Sequence, residues 1–279
     1  GLTFQNELTL NNTGRDNGYI YGVPFSTDRT VRGNIPAGRT EFSIKGDIPD
    51  PGLMLGETLA TYLKQAGIKI GKVETAREDY LAAHCAPGAK QPYRVGQVLC
   101  SHVSPPLKDV IREVNMESNN HYAEHLIRTI GRKSNNDIYA DALEAGITYV
   151  NKYWSNRGID STSLQLYDGS GLAPQNAVSA QFLTELLVYM HQRSASSSAF
   201  FNSLPKAGLE GTLKNFMGSS RYRGKIVAKS GSIGGVQCYA GYLVDGNKKL
   251  AFTVMVNKFN GTRPEVRGAI EQFLLKLFQ

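Results

Sequence analysis

The chain has 279 residues, 41% hydrophobic and 20% charged, enough for one large domain or two ordinary ones with a sizeable core and unlike a disordered chain in composition. No apolar run approaches the ~18 residues that a membrane-spanning helix needs. The net charge of +7 comes from scattered Lys and Arg rather than a basic run, so it reads as a general surface property and not as a nucleic-acid footprint.

The opening Gly1-Leu2-Thr3 shows no secretory signal. Residues 1 to about 48 carry short β-favouring runs such as Tyr19-Ile20-Tyr21-Gly22-Val23 broken by turn residues, which predicts several short strands. From Asp50-Pro51 a helix is expected, with Leu53, Leu55, Leu59, Tyr62 and Leu63 at roughly helical spacing and Gly67 as its stop. Ile68 to Val73 reads as a further strand. Glu78 to Gln97, with Pro87, Gly88, Pro92 and Gly96, reads as a connection, and a domain boundary is placed near residue 97. Val98 to Val103 then reads as a strand ending at Ser104-Pro105-Pro106. A long helical region is expected from Leu107 to about Ile130, and a second over Ile138 to Trp154.

The last third is the most legible. Ile226 to Lys229, Gln237 to Val244 and Leu250 to Val256 read as strands, with Asp245-Gly246-Asn247 as hairpin chemistry between the last two. Arg263 to Phe278 reads as a helix with Val266, Ile270, Phe273, Leu274 and Leu277 on one face. The expected fold class is α/β (α+β), an antiparallel sheet flanked by helices, with 1–97 forming a β-rich region with one helix. Three cysteines, Cys85, Cys100 and Cys238, cannot all pair. Cys100 and Cys238 lie in apolar, strand-like stretches and read as buried small hydrophobes.

Two strings carry chemistry. A Ser/Lys-type acyl-transfer enzyme needs a hydroxyl nucleophile, a base, a proton relay and donors for a tetrahedral oxyanion, with signatures Ser-x-x-Lys, Ser-x-Asn and Lys-Thr-Gly. Ser118-Asn119-Asn120 fits the second: Ser118 can relay a proton to a leaving amine, and Asn120 can hydrogen-bond a substrate amide. Lys229-Ser230-Gly231-Ser232 fits the third, with Ser in place of Thr. Lys229 brings positive charge to the relay, and Gly231 lets substrate lie against the backbone. The hydroxyls of Ser230 and Ser232 can receive a carboxylate, and the Ser232 N–H is a candidate oxyanion donor. The plainer readings are that Ser118 caps a helix and that Lys229 is a solvated strand charge.

A set of ordered phrases weighs against those plainer readings. They are Ser118 to Glu124, Asp168-Gly169-Ser170-Gly171-Leu172, Leu204 to Leu213 (Leu-Pro-Lys-Ala-Gly-Leu-Glu-Gly-Thr-Leu), and Ala228 to Ser232. Together they resemble the D-alanyl-D-alanine carboxypeptidase/endopeptidase family of low-molecular-mass penicillin-binding proteins, of the type with domains inserted in the peptidase fold. The resemblance runs from about Ser101 to the end. Asp50-Pro51 with its helix and Ala66-Gly67-Ile68 look like part of the inserted accessory region. The resemblance implies a periplasmic or otherwise extracytoplasmic serine peptidase that acts on peptidoglycan stem peptides through an acyl-enzyme, with no metal or other cofactor and with β-lactams as covalent inhibitors. It also implies that residues 98–279 form the C-terminal portion of the peptidase domain. In that family Ser-x-x-Lys lies far upstream of Ser-x-Asn, yet no residues before Ser118 form it, and Ser203-Leu204-Pro205-Lys206, where it does occur, falls out of order. The chain is therefore expected to be part of a longer enzyme and inactive alone.

Two readings of other classes stand beside this one. His121-x-x-Glu124-His125 matches the inverted zinc-peptidase signature, in which residues four apart share a helix face and Glu144 or Glu185 would have to supply a third ligand. A non-catalytic peptidoglycan-binding module that keeps the groove without a nucleophile is the other.

Overall fold

The computed structural model describes residues 1–13, 17–75, 97–98, 100–137 and 140–279, and the chain divides into two compact units, Gly1–Cys100 and Ser101–Gln279. In the first, β1 (Thr3–Asn11) pairs in parallel with β3 (Asp28–Pro36), which pairs antiparallel with β2 (Tyr19–Tyr21) on its other side. Helix α1 (Pro51–Gln65) follows; the Asp50 carboxylate accepts from the Leu53 N–H at 2.9 Å, and Pro51 fits the first turn. The helix stops before Gly67, whose φ of +80° suits glycine. Only Ala60 of α1 is buried; of the residues that signalled the helix, Leu55, Leu59 and Tyr62 face outward, and Leu53 and Leu63 are half-buried.

The expected strand at 68–73 does not form: the segment pairs with no strand among the described residues, and Lys72 makes a local ion pair with Glu74 instead. The expected strand at 98–103 is also absent from its described residues, and Cys100 is exposed rather than buried. Alternation in sequence proposes a strand, but a strand needs a partner edge. Cys85, His84 and most of the expected connection from Glu78 to Gln97 lie outside the described residues.

In the second unit the helical stretch after Leu107 is two helices, α2 (Leu107–Glu117) and α3 (Asn120–Ser134). Helix α4 (Ala142–Ser155) begins later than the expected Ile138, because the Asp141 carboxylate accepts the N–H groups of Leu143 and Glu144 and so fixes the start; residues 138–139 are not described. Helices α5 (Ala180–Gln192) and α6 (Ser197–Ser203) precede the main sheet. That sheet is antiparallel, in the order β6 (Ile226–Ile233), β7 (Val236–Asp245), β8 (Lys248–Asn257), and α7 (Arg263–Leu277) closes the chain. Two short strands, β4 (Leu164–Gln165) and β5 (Ala177–Val178), pair between α4 and α5.

Alternation along β6 sorts its side chains between two cores. Ile226 and Ala228 join Leu213, Phe216, Leu243, Ile270 and Leu274 on the α7 face. Val227 joins Leu187, Leu204 and Tyr242 on the opposite, helical face. Of the face expected for α7, Ile270 and Leu274 are buried while Phe273 and Leu277 are exposed. Among the described residues no helix is long and apolar enough to cross a membrane.

Candidate active site

The break between α2 and α3 is made by the Ser-x-Asn string itself. Ser118 ends α2 in the left-handed region at φ +56°, which costs a non-glycine residue roughly 1–2 kcal/mol. Asn119 then starts α3, its side-chain oxygen accepting the Tyr122 N–H at 3.1 Å. The turn leaves Ser118 half-buried and Asn120 exposed at the head of α3. Ser118 is thus a helix-terminating residue, as the plainer reading held, and its side chain does more than that.

Continuing the alternation of β6 past Ala228 sends Lys229 to the helical face. Its ammonium donates to Ser118 Oγ at 2.7 Å and to the Ser230 carbonyl at 2.5 Å. Burial draws its pKa down to about 8, because the charged form gives up hydration there. Lys229 is therefore not a solvated strand charge. Ser230 and Ser232 alternate toward the α7 face, where Ser230 Oγ bonds Thr212 Oγ1 at 2.8 Å and Ser232 Oγ donates to Gln237 Oε1 at 2.9 Å. Gly231, opposite Cys238 in register, is exposed. Cys238 itself is half-buried on β7, and burial pushes its thiol pKa up. Ser118, Asn120 and the four residues of the Lys229–Ser232 string line one cavity of about 370 Å³.

The other phrases build the walls. Glu124 Oε1 accepts the N–H groups of Gly169 and Ser170 at 2.9 and 3.0 Å, clamping the Asp-Gly-Ser-Gly loop to α3. At Gly169 a Cβ would lie 2.6 Å from the Ala123 carbonyl oxygen, so only glycine allows this approach. Asp168 organises the same loop, accepting from Gly171 N, Ala173 N and Asn176 Nδ2 at 2.7, 2.6 and 2.8 Å. Partial burial of Asp168 works to raise its pKa, but these bonds outweigh it and hold the carboxyl below its usual range. Gly211, at φ +47°, sets a 3₁₀ turn (Gly211–Leu213) against the end of α2, where a Cβ would meet the Met116 carbonyl oxygen at 2.4 Å. That contact places Thr212 beside Ser230.

Thr212, Gln237 and Asp168 were not among the residues singled out for chemistry, and Glu124 was singled out only for the zinc signature, not for holding this loop. Three of the four sit inside the ordered phrases, whose reach beyond the two short strings was the available signal; Gln237 had none. Ser203, the hydroxyl of the out-of-order Ser-x-x-Lys, is 1% exposed, donates to the Phe200 carbonyl at 2.6 Å and accepts from Asn115 Nδ2 at 2.7 Å. It fastens α6 to α2 and is in no position to attack a substrate. The imidazoles of His121 and His125 lie 4.4 Å apart on α3, but Glu124 is committed to the loop. Among the described residues no three His, Cys, Asp or Glu are grouped to hold a metal, and Glu185 bonds Gln181 instead.

Comparison with known proteins places this architecture. Penicillin-binding protein 4 of Haemophilus influenzae, in a crystal structure with a β-lactam, superposes with a TM-score of 0.78 at 20% identity, covering 100% of this chain and 63% of that one; this establishes a shared mixed α/β fold. The D-alanyl-D-alanine carboxypeptidase of Actinomadura sp. (strain R39) is 27% identical over 266 residues, 93% of this chain and 47% of that protein. The D-alanyl-D-alanine carboxypeptidase DacB of Haemophilus influenzae is 28% identical over 168 residues, 59% of this chain and 34% of that protein. The chain thus spans about half the length, or less, of these curated relatives. Residues 5–277 match the D-Ala-D-Ala carboxypeptidase 3 (S13) family, and with that match spanning nearly the whole sequence the chain belongs to this family.

Proposed function

We propose that these residues supply the proton-relay and leaving-group half of a serine-type D-Ala-D-Ala carboxypeptidase or endopeptidase site acting on peptidoglycan stem peptides outside the cytoplasm. The observation that carries the reading is the 2.7 Å bond from Lys229 to Ser118 in a chain of this family. Ser118 Oγ accepts from Lys229, so its own proton is free to pass to the departing amine. Lys229, with a pKa of about 8, can return that proton near neutral pH. Asn120 holds a substrate backbone amide, the hydroxyls of Ser230 and Ser232 receive the terminal carboxylate, and Gly231 leaves room for the peptide along β6. The Ser232 N–H serves the oxyanion.

The nucleophile belongs to a Ser-x-x-Lys element of the whole protein that is not among these residues, since Ser203 is buried and bonded. On this reading residues 1–97 are part of an inserted accessory domain and 98–279 the C-terminal portion of the peptidase domain. β-Lactams acylate the same nucleophile, and the isolated 279-residue chain is inactive.

Penicillin acylation tests this. In the whole protein Lys229→Ala should slow acylation by about 10²-fold or more, and an unchanged rate removes Lys229 from the site. Native mass spectrometry of the isolated chain with penicillin should show no covalent adduct. An adduct would place a nucleophile inside these residues, and absence of acylation in the whole protein would favour a binding module.

A further inference from the structure

Beside the groove, on the α7 face of the β6–β8 sheet, lies a second cavity of about 350 Å³, within the ~300–1,000 Å³ of small-ligand sites. It shares Ser118, Ser230 and Ser232 with the groove. Its floor includes Phe216 and Tyr239, whose rings stack at 4.0 Å. Its rim carries Arg263 and Arg267 from the first two turns of α7, and no Asp or Glu lines it.

This placement is unfavourable without a ligand. Cations at a helix N-terminus oppose the macrodipole, and like charges four residues apart on a helix repel. The nearby carboxylates are engaged in hydrogen bonds of their own. Glu265 is committed to the cap, accepting from Thr262 N and Oγ1 at 2.7 and 2.9 Å, and Glu271 accepts the Met217 N–H at 2.8 Å. Among the described residues neither guanidinium has an ion-pair partner. Arg267 also acts electrostatically on Tyr239, the register partner of Ser230.

We propose that this cavity receives a second carboxylate on the leaving side of the scissile bond. The first carboxylate of the departing residue sits at Ser230 and Ser232, and its side chain or branch extends over Tyr239 to Arg263 and Arg267. The favoured substrate then carries an acidic residue after D-Ala rather than a second D-Ala, a leaving group suited to endopeptidase action. The proposal rests on the D-Ala-D-Ala reading above.

The test titrates the 279-residue chain with Nα-acetyl-D-Ala-D-Ala, Nα-acetyl-D-Ala-D-Gln and Nα-acetyl-D-Ala-D-Glu by ligand-observed NMR at low salt. The D-Glu peptide should bind about fivefold or more tightly than its neutral D-Gln isostere, and the R263Q/R267Q double variant should abolish that ratio. Equal binding of D-Glu and D-Gln, or a preference that survives the double substitution, overturns the subsite while leaving the D-Ala-D-Ala reading in place. Failure of all three peptides to bind overturns the subsite, and penicillin acylation of the whole protein then decides the D-Ala-D-Ala reading separately.

Discussion

Replacing Lys229 by Met should expose how much stability the proposed relay gives up. In the unfolded chain the ammonium titrates near 10.5, whereas burial holds it at about 8 in the folded one. The gap corresponds to about 3 kcal/mol, an upper figure because Lys229 keeps some access to solvent. Below pH 8 both states are protonated and the folded state bears the whole cost. Between pH 8 and 10.5 the unfolded state binds more protons, so wild-type stability rises with pH and the cost vanishes above 10.5. Met has a similar apolar stem and no charge, so the variant lacks this dependence. Loss of the bonds to Ser118 and the Ser230 carbonyl shifts the comparison by an amount that does not vary with pH. The stability advantage of Lys229→Met over wild type should therefore shrink by about 3 kcal/mol between pH 7 and 11. Urea unfolding followed by tryptophan fluorescence reads this, since Trp154 is the sole tryptophan and lies on α4 of the unit that holds Lys229. Tyrosine titrations common to both chains cancel in the difference. A stability difference that stays constant across that range would refute the claim that burial depresses Lys229.

Three further outcomes are expected. Ser118→Gly should unfold at higher urea than Ser118→Ala, by about 1 kcal/mol, because φ +56° suits glycine; both should lose the relay in a penicillin-acylation assay, and equal stabilities would deny the strain. Glu124→Ala should free the Gly169 and Ser170 amides, and their hydrogen exchange should accelerate about tenfold or more, equivalent to 1–3 kcal/mol; unchanged protection would mean the loop is held elsewhere. Gly211→Ala forces a Cβ onto the Met116 carbonyl and should destabilise the unit by about 1–3 kcal/mol, with chemical-shift changes at Thr212 and Ser230; shifts confined to residue 211 would show that the turn does not position Thr212.

The legibility of this sequence follows the range of the forces involved. β6 to β8 and α7 were readable because alternation, a Gly-Asn hairpin and a helical stripe are local signals, and the sheet and its two cores then agree with them. The strands expected at 68–73 and 98–103 failed because pairing depends on a neighbouring edge that no local pattern reveals. The helix through Leu107 to Ile130 was read as continuous because its apolar spacing carries on past Ser118, whereas the break is a backbone event at one residue. Lys229 and Ser118 could be named from their strings, but their 2.7 Å contact spans separate parts of the chain. Thr212 and Gln237 entered the site only through cross-strand and cross-loop hydrogen bonds.

One strand organises all of these departures from ordinary folding preference. β6 is the outer strand of its three-stranded sheet, bridged on its far side by Lys206 at Val227, and up to Ala228 its alternation feeds two cores; from Lys229 onward the same alternation presents the proposed site residues instead. An ammonium goes to one face, and small hydroxyls go to the other, beside two guanidiniums that have no ion-pair partner among the described residues. The unfavourable features are a left-handed serine, a half-buried lysine and two arginines at a helix N-terminus, and each lines one of the two cavities that Ser118, Ser230 and Ser232 share. The core residues Ile226, Leu243, Ile270 and Leu274, buried directly behind it, hold the strand in register. On the proposed function, a rigid strand with strained, underpaired groups suits a site whose partners are a substrate carboxylate and a departing amine.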